Sequence, residues 1–558
     1  MFYQTRTLVK KSTKILLPFI ILLFLNSGIN AQIKDPDFIY KISENAEKMK
    51  EGKFYPTWES LQQYEVPEWF RDAKFGMWTH WGPQCQPQRG DWYARGMYEE
   101  GSWQYKEHIK QYGHPSEFGF KDVINQWKAE KWDPEAIVQL YKKTGARYFV
   151  AMANHHDNLD LWDSKYQPWN SVNMGPKRDI MKEYEAVVRK HGMRFGVTFH
   201  AAHAWLFYEP SRLADTDGDK KGINYDGRLM KEDGKGKWWE GYDPQDLYAQ
   251  DHAPSPDRNL HKNWHWTNPG GVTYPDRKYT ENIYNRTLDL INQYKPDLLY
   301  FDDTVLPLYP VSDGSLKTVA HFYNSSMEWN NGKNEAVVTG KVMTEGYEKK
   351  AMIWDIEKGT PNEIQENPWQ VCTCIGSWHY DIGIYNNNRY KSAETVIRQL
   401  IDVVSKNGNL LLNIPMRGDG SFDDKALAIV KGIGDWMEVN SEGIYETRPW
   451  KVFGEGPDAE AVVALNAQGF NEGRINNFTD KEVRYTSKGK TIYAYVMGKN
   501  QQPFTLKSFE KNDKIKSVSC LGTKEKANWS KTAKGLEIKP LKKSNTVVAP
   551  VCYKITLK

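Results

Sequence analysis

From about residue 70 to residue 415, short apolar runs alternate with longer stretches of helical periodicity. The apolar runs fall at 75–81, 147–153, 194–200, 298–302, 335–339 and 409–414, and they favour the β-branched and aromatic residues that suit a pleated strand. Between them, residues 134–143, 179–191, 279–294, 315–330 and 391–406 place apolar side chains at helical spacing. The first of these helices opens on Pro134, where a missing N–H costs least. Strands alternating with helices in this way predict an α/β fold with a parallel sheet. Several strands end on polar residues: His80, Asn154-His155-His156, His200 and Asp302-Asp303. A (β/α)8-like barrel builds its active site from the C-terminal ends of its strands, and the pattern predicts that arrangement.

Beyond about residue 440 the texture changes. Short alternating runs at 461–465, 491–496, 517–521, 536–539 and 553–557 predict a C-terminal antiparallel β-sandwich. The expected division is a leader at 1–31, a barrel domain at 32–439 and a sandwich domain at 440–558. Cys372 and Cys374 lie in an apolar run and read as buried packing, because zinc would need further ligands nearby. Cys520 and Cys552 stay open as a disulfide pair or as free thiols, and the odd count of five excludes a disulfide scaffold.

The N-terminus adds a compartment. Residues 6–14 are basic, residues 15–25 are apolar apart from Pro18, and small residues follow up to Ala31. This is the layout of a secretory signal peptide, with cleavage expected between Ala31 and Gln32 and export to the periplasm or medium. The run is short of the ~20 residues that a spanning helix needs, so no membrane attachment is expected after cleavage.

Charge then changes the picture. The whole chain carries +4, but all of it belongs to Arg6, Lys10, Lys11 and Lys14, so residues 32–558 balance. That balance divides into −9 on residues 32–439 and +9 on residues 440–558. A basic sandwich reads first as a solvated counterpart to an acidic barrel, and second as affinity for an anionic polysaccharide such as a sulfated one. Nucleic acid is not expected, since no binding motif accompanies the charge. The 22 Trp and 32 Tyr are many, and flat π-faces suit both core packing and sugar rings.

Taken alone, the polar strand ends leave choices. His80 ends an apolar strand, where a lone imidazole is more often structural than functional. His155 and His156 are adjacent, so both reach one pocket only if the strand has already ended. They suit sugar hydroxyls, or a metal if a third ligand exists. Asp302 and Asp303 end an apolar strand, a place that suits a nucleophile and equally a solvated loop acid or a helix N-cap. A partner acid is sought among Glu345, Asp355, Glu357 and Glu363, and periodicity does not choose. Asp215-Thr216-Asp217-Gly218-Asp219 starts like a calcium loop, but Lys220 stands where Gly is needed and Asp226 where a bidentate Glu is needed. The stretch is read as a solvated loop.

Together these segments resemble the glycoside hydrolase family 29 α-L-fucosidases. The resemblance rests on Trp69 through Gly76 running into Thr79-His80-Trp81-Gly82, and on Asn154-His155-His156-Asp157 followed by Leu161-Trp162-Asp163 and Met174-Gly175-Pro176. Lys295-Pro296-Asp297 leading to Asp302, and Asn409 to Ile414, complete it in the same order. It implies a barrel with a C-terminal sandwich and retaining hydrolysis of terminal α-L-fucosyl residues from oligo- or polysaccharides. No metal and no cofactor is implied. The nucleophile falls on Asp302 and the acid/base on Glu357; the hydroxyl-binding imidazoles fall on His80, His155 and His156, beside Asp91 and Trp92, with Trp378 as a stacking aromatic. His200, Tyr300 and Lys341 stand where the family pattern has other residues at substrate-binding positions: Tyr300 where Trp is frequent, Lys341 for an Arg. Asp303 stands where Gly is common. An α-L-galactosidase and an inactive fucoside-binding homologue are the alternatives. The polar stretch 207–275, with Trp238, Trp239, Tyr242, Trp264 and Trp266, is expected to wall the sites beyond the scissile bond.

Overall fold

In the computed structural model, which describes residues 33, 35–462, 464–465, 471–473, 478–479, 481–498, 502–541 and 550–558, the alternating runs form eight parallel strands closed in chain order. They are β1 (Phe75–Thr79), β2 (Tyr148–Met152), β3 (Arg194–Phe199), β4 (Leu298–Phe301), β5 (Val337–Gly340), β6 (Ile353–Glu357), β7 (Trp369–Cys374) and β8 (Gly408–Asn413). β8 pairs with β1 to close the ring. The expected leader at 1–31 lies outside the described residues.

The interior is filled by alternate residues of each strand, among them Trp78, Tyr148, Val150, Leu298, Tyr300, Val337, Ile353, Cys372 and Leu411. Phe70, on the helix Glu68–Ala73, packs against the same cluster, and emptying such a site to Ala costs about 3–5 kcal/mol. Gly76 is required: a Cβ there would lie 2.3 Å from the Tyr148 ring. β6 and β7 had no strand signature because polar side chains face inward on them. Gln370 Nε2 donates to Asp355 Oδ1 at 2.9 Å inside the barrel, and such a satisfied pair interrupts the apolar pattern.

The five predicted helices appear as Pro134–Thr144, Ile180–Lys190, Arg277–Tyr294, Gly314–Trp329 and Ala393–Ser405. Asp133, Asp179, Asp276 and Ser392 cap four of them through side-chain oxygens, each worth about 1 kcal/mol. A further helix, Asp424–Asn440, was not predicted; Gly432 and Gly434 inside it weaken its signal.

Two antiparallel sheets follow: β9 (Arg448–Glu455), β10 (Val483–Lys488), β11 (Thr491–Val496), β12 (Phe504–Leu506), β13 (Ile515–Cys520), β14 (Asn528–Thr532), β15 (Gly535–Lys539) and β16 (Val551–Leu557). Their orders are β13-β16-β11-β10-β9 and β12-β15-β14. Tyr485, Ile492, Leu506, Phe509, Ile538 and Tyr553 share the core between them. The run predicted at 461–465 forms no strand in its described residues, and residue 463 lies outside them. β9 and β14 carry Pro, Lys and Ser on exposed faces and gave no alternating signal.

Barrel and sheets belong to one compact unit. Asp402, on the helix Ala393–Ser405, accepts from Arg484 Nε of β10 at 2.6 Å and from Lys406 Nζ at 2.8 Å, all three side chains buried. Burial alone would raise the Asp402 carboxyl, but the two cations hold it down at about 2.

All five cysteines are free. Cys520 lies opposite Tyr553 in the β13–β16 pair, so Cys552, the next residue, leaves β16 on the other face; the period of two keeps the thiols apart. Cys372 and Cys374 are buried on β7, as expected. The solvated loop expected near Asp215 holds for Thr216 to Asp219, which are exposed, but not for Asp215. Its carboxylate is buried and engaged by Tyr105, Tyr225 and His114, while Asp226 accepts from Lys121, Tyr98 and Tyr248. Among the described residues no helix is long and apolar enough to cross a membrane.

Candidate active site

A period of two along each strand decides which acids reach the barrel mouth. On β4 the inward residues run Leu298, Tyr300 and then Asp302. On β5 they run Val337, Thr339 and Lys341, and on β6 Ile353, Asp355 and Glu357. Asp302, Lys341 and Glu357 therefore occupy one layer, directly above Tyr300, Thr339 and Asp355. Lys341 Nζ donates to Asp302 Oδ1 at 2.5 Å and to Glu357 Oε2 at 2.7 Å. The two oxygens can thus be no farther apart than those two bonds laid end to end. Glu345 and Glu363 are exposed and line no part of this cavity, and Asp355 lies one layer below. Of the four acids left open by the sequence, Glu357 is the one that faces Asp302.

The cavity holds about 180 Å³ and is lined by His80, Asp91, Trp92, His155, Asp302, Lys341, Glu357 and Trp378 among the predicted residues. Backbone turns aim several of them. Trp92, Val342 and Lys358, which follow Asp91, Lys341 and Glu357, have φ of 60°, 53° and 47°. A left-handed backbone at non-glycine residues costs on the order of 1–3 kcal/mol each and persists only where the surroundings impose it.

β2 ends at Met152, so Asn154, His155 and His156 follow the strand and both imidazoles face the site. Their ring centroids are 4.3 Å apart. Gln84 Nε2 lies 2.8 Å from His155 Nδ1, and His156 Nδ1 donates to the His200 carbonyl at 2.9 Å. His156 and His200 reach Asp302 Oδ2 at 3.4 and 3.3 Å, as contacts to the carboxylate rather than as cavity lining. Ligand atoms of His80, His155 and His200 lie within 4.8 Å of one another, as do those of His156, His200 and Asp302. That spacing suits a cation, and it equally suits neighbouring hydroxyls of a sugar ring.

Two expectations change. Tyr300 does not touch the cavity: it is fully buried, and its hydroxyl donates to Asp355 Oδ2 at 3.0 Å, because it sits one layer beneath the nucleophile position. Trp378 does more than offer a face, since its indole N–H donates to Glu357 Oε1 at 3.1 Å. Asp91 lines the cavity, yet its carboxylate also accepts the backbone N–H groups of Trp378 at 3.1 Å and His379 at 2.6 Å.

Burial sets the electrostatics in two opposite ways. It pushes His80 and His155 well below the ordinary imidazole range, helped by the neighbouring histidines, and it lowers His200 to about 4 despite Asp302. These rings are neutral at pH 7, each with one donor and one acceptor. Burial would raise Asp302, but the Lys341 ammonium and the His156 and His200 contacts hold it well below the carboxylate range. Burial would lower Lys341, and the charges of Asp302 and Glu357 hold it up. On Asp355 burial wins and pushes the carboxyl up to about 6, against the pull of Lys341 and the bonds from Gln370, Cys372 and Tyr300.

Sequence reading missed His379, whose ring lies 4.7 Å from that of His155, and it missed His261, which lines the cavity. Neither ends a predicted strand. The stretch 207–275 is built of short helical turns rather than open loop. Only Trp264 of its five named aromatics lines the cavity; Trp239 and Trp266 are buried and Trp238 is exposed.

Comparison with known proteins places this geometry. The model of the alpha-L-fucosidase family matches residues 41–442, and that of the alpha-L-fucosidase C-terminal domain matches residues 476–558. The chain belongs to the α-L-fucosidase family. It is a glycoside hydrolase with the barrel and sandwich of that family. The plasma alpha-L-fucosidase of Homo sapiens is 28% identical over 415 residues, covering 72% of this chain and 73% of that one. The tissue alpha-L-fucosidase of Mus musculus is 26% identical over 518 residues, covering 91% and 94%. The crystal structure of Thermotoga maritima alpha-fucosidase in complex with fucose is 25% identical, covers 90% of this chain and 100% of that one, and superposes with a TM-score of 0.63.

Proposed function

We propose that this glycosidase removes terminal α-L-fucosyl residues from oligo- or polysaccharides with retention, by double displacement. The observation that carries the reading is the Lys341 bridge, which limits the Asp302–Glu357 separation to about the 5–5.5 Å that retention requires. Asp302, kept ionised, attacks the anomeric carbon while Glu357 protonates the departing oxygen. Glu357 then takes a proton from the water that opens the glycosyl ester. His80 and His155, neutral, pair with hydroxyls, and the Trp378 indole N–H steers Glu357.

The small cavity, below the roughly 300 Å³ at which pockets for larger ligands begin, suits one terminal ring and exo action. Both acids are in place, which favours an enzyme over an inactive binding protein. The basic leader supports export; N-terminal sequencing of the mature protein tests that, with a start near Gln32 expected.

The mechanism is tested by following an aryl α-L-fucoside by proton NMR. The first product is expected as the α-anomer of fucose. A β-anomer as first product would exclude double displacement, and near-normal turnover by Asp302→Gly would exclude that nucleophile. Azide added to Asp302→Gly is expected to yield β-fucosyl azide.

A further inference from the structure

Beside the nucleophile lies a second carboxylate that the mechanism above does not use. Asp303 is 3% exposed and lines the same cavity as Asp302. Its Oδ1 accepts from the Thr304 backbone N–H at 2.7 Å and is held by His203 Nε2 at 2.9 Å. Its Oδ2 is buried and, among the described residues, has no hydrogen-bond partner. The His203 ring is immobilised in turn. Trp264 stacks on it at 3.6 Å between centroids and Trp266 at 5.2 Å, both nearly parallel. Trp264 also lines the cavity and stacks on Trp92 at 5.9 Å, so the stretch after β3 reaches the site through this point.

A buried acceptor oxygen without a donor is costly, and the cost is offset when a ligand donates to it. We propose that Asp303, oriented by His203, is a specificity-determining residue that accepts a hydrogen bond from a substrate hydroxyl; this rests on the glycosidase reading given above. The methyl group of fucose cannot donate. The hydroxyls on C2, C3 and C4 are shared by fucosides and galactosides, so a hydroxyl that discriminates between substrates comes either from a glycone hydroxylated at its sixth carbon, as in an α-L-galactoside, or from the leaving sugar lying against Trp264 and Trp92. A site built to bond a hydroxyl discriminates strongly against an analogue that lacks it, because the site's own polar group is then left unpaired.

The test compares kcat/KM of the wild type, Asp303→Leu and Asp303→Asn on three probes: para-nitrophenyl α-L-fucoside, para-nitrophenyl α-L-galactoside and a fucosylated lactose. Asp303→Leu is expected to lose about 10- to 100-fold more on one hydroxyl-bearing probe than on the aryl fucoside, the range for a bond to a charged group. Selective loss on the galactoside assigns the hydroxyl to the glycone. Selective loss on the fucosylated lactose assigns it to the leaving sugar. Asp303→Asn, which keeps an acceptor oxygen, is expected to retain part of the preference, and it carries the same comparison if the leucine variant does not fold. Equal losses on all three probes, which a structural role or a bond to a hydroxyl common to all three would give, would overturn the specificity role, as would no loss on any. Wild-type turnover of none of the three would instead overturn the hydrolase reading, and this one with it.

Discussion

The two arcs of the cavity rim meet the same constraint in opposite ways. On the β4–β6 arc, burial surrounds Asp302 and Lys341, and their charges are kept because the ammonium lies 2.5 Å from the carboxylate, with Glu357 2.7 Å from the same ammonium. On the arc built after β1, β2, β3 and β7, burial surrounds His80, His155, His200 and His379, and the lowered rings there give up their protons. Taking charge out of water is expensive, so a site either pairs its charges or loses them. A nucleophile must be ionised, and recognition of hydroxyls needs neutral groups that both donate and accept. On the function proposed above, the difference between the arcs is a division of labour between bond-making and binding.

The largest test removes the anion at the centre of the charged arc. Asp302→Gly is expected to lower kcat by on the order of 10⁴–10⁶ with little change in KM. A loss confined to KM would move Asp302 to the binding arc. Glu357→Ala is expected to lose about 10²–10⁴ on a sugar leaving group and far less on an activated aryl group that departs without a proton. Lys341→Met tests whether pairing sustains the arc: a loss on the order of 10²–10³ in kcat/KM is expected. Its sharper readout is pH. Without the ammonium, burial raises the Asp302 carboxyl, so the acid limb of the kcat/KM profile should move to higher pH.

On the neutral arc, His80→Phe keeps a flat ring and removes the polar atoms. An increase in KM, for a loss of about 10- to 100-fold in kcat/KM, is expected, and a pure kcat effect would contradict the division. The smallest effect lies beneath both arcs. Asp355 titrates at about 6 in the folded chain, above the ~3.9 of an unfolded one, so the native state binds the extra proton between those values. Wild-type stability is then full below about pH 4 and falls as pH rises through 6. Asp355→Asn should flatten that fall, with a relative gain of about 3 kcal/mol at pH 7.5 and none near pH 4, read from urea midpoints.

How much of this could be read beforehand varied with the element. β1 to β5 and β8 were legible because their apolar runs are continuous between breakers. β6 and β7 were not, since Asp355 and Gln370 point inward and satisfy each other across the strands. Asp302 stood out as an acid closing an apolar strand. Glu357 stood among four acids, and neither composition nor periodicity distinguished it without the neighbouring strands. His379 follows Trp378 in a turn after β7, where no periodic signal exists.

The amino-acid order alone determined the alternation of strand and helix, the change to a sandwich after about residue 440 and the opposite charges of the two halves, and it put Asp302 at the end of an apolar run. These are local properties, set by side-chain period and by which residues end a run. Only the closed barrel decided that Glu357 rather than Asp355 shares a layer with Asp302, that Tyr300 lies beneath the site, that Cys520 and Cys552 face apart, and that Asp303 keeps an unpartnered oxygen. Each of these depends on registers between strands distant in sequence, and a chain read one residue at a time does not state its registers.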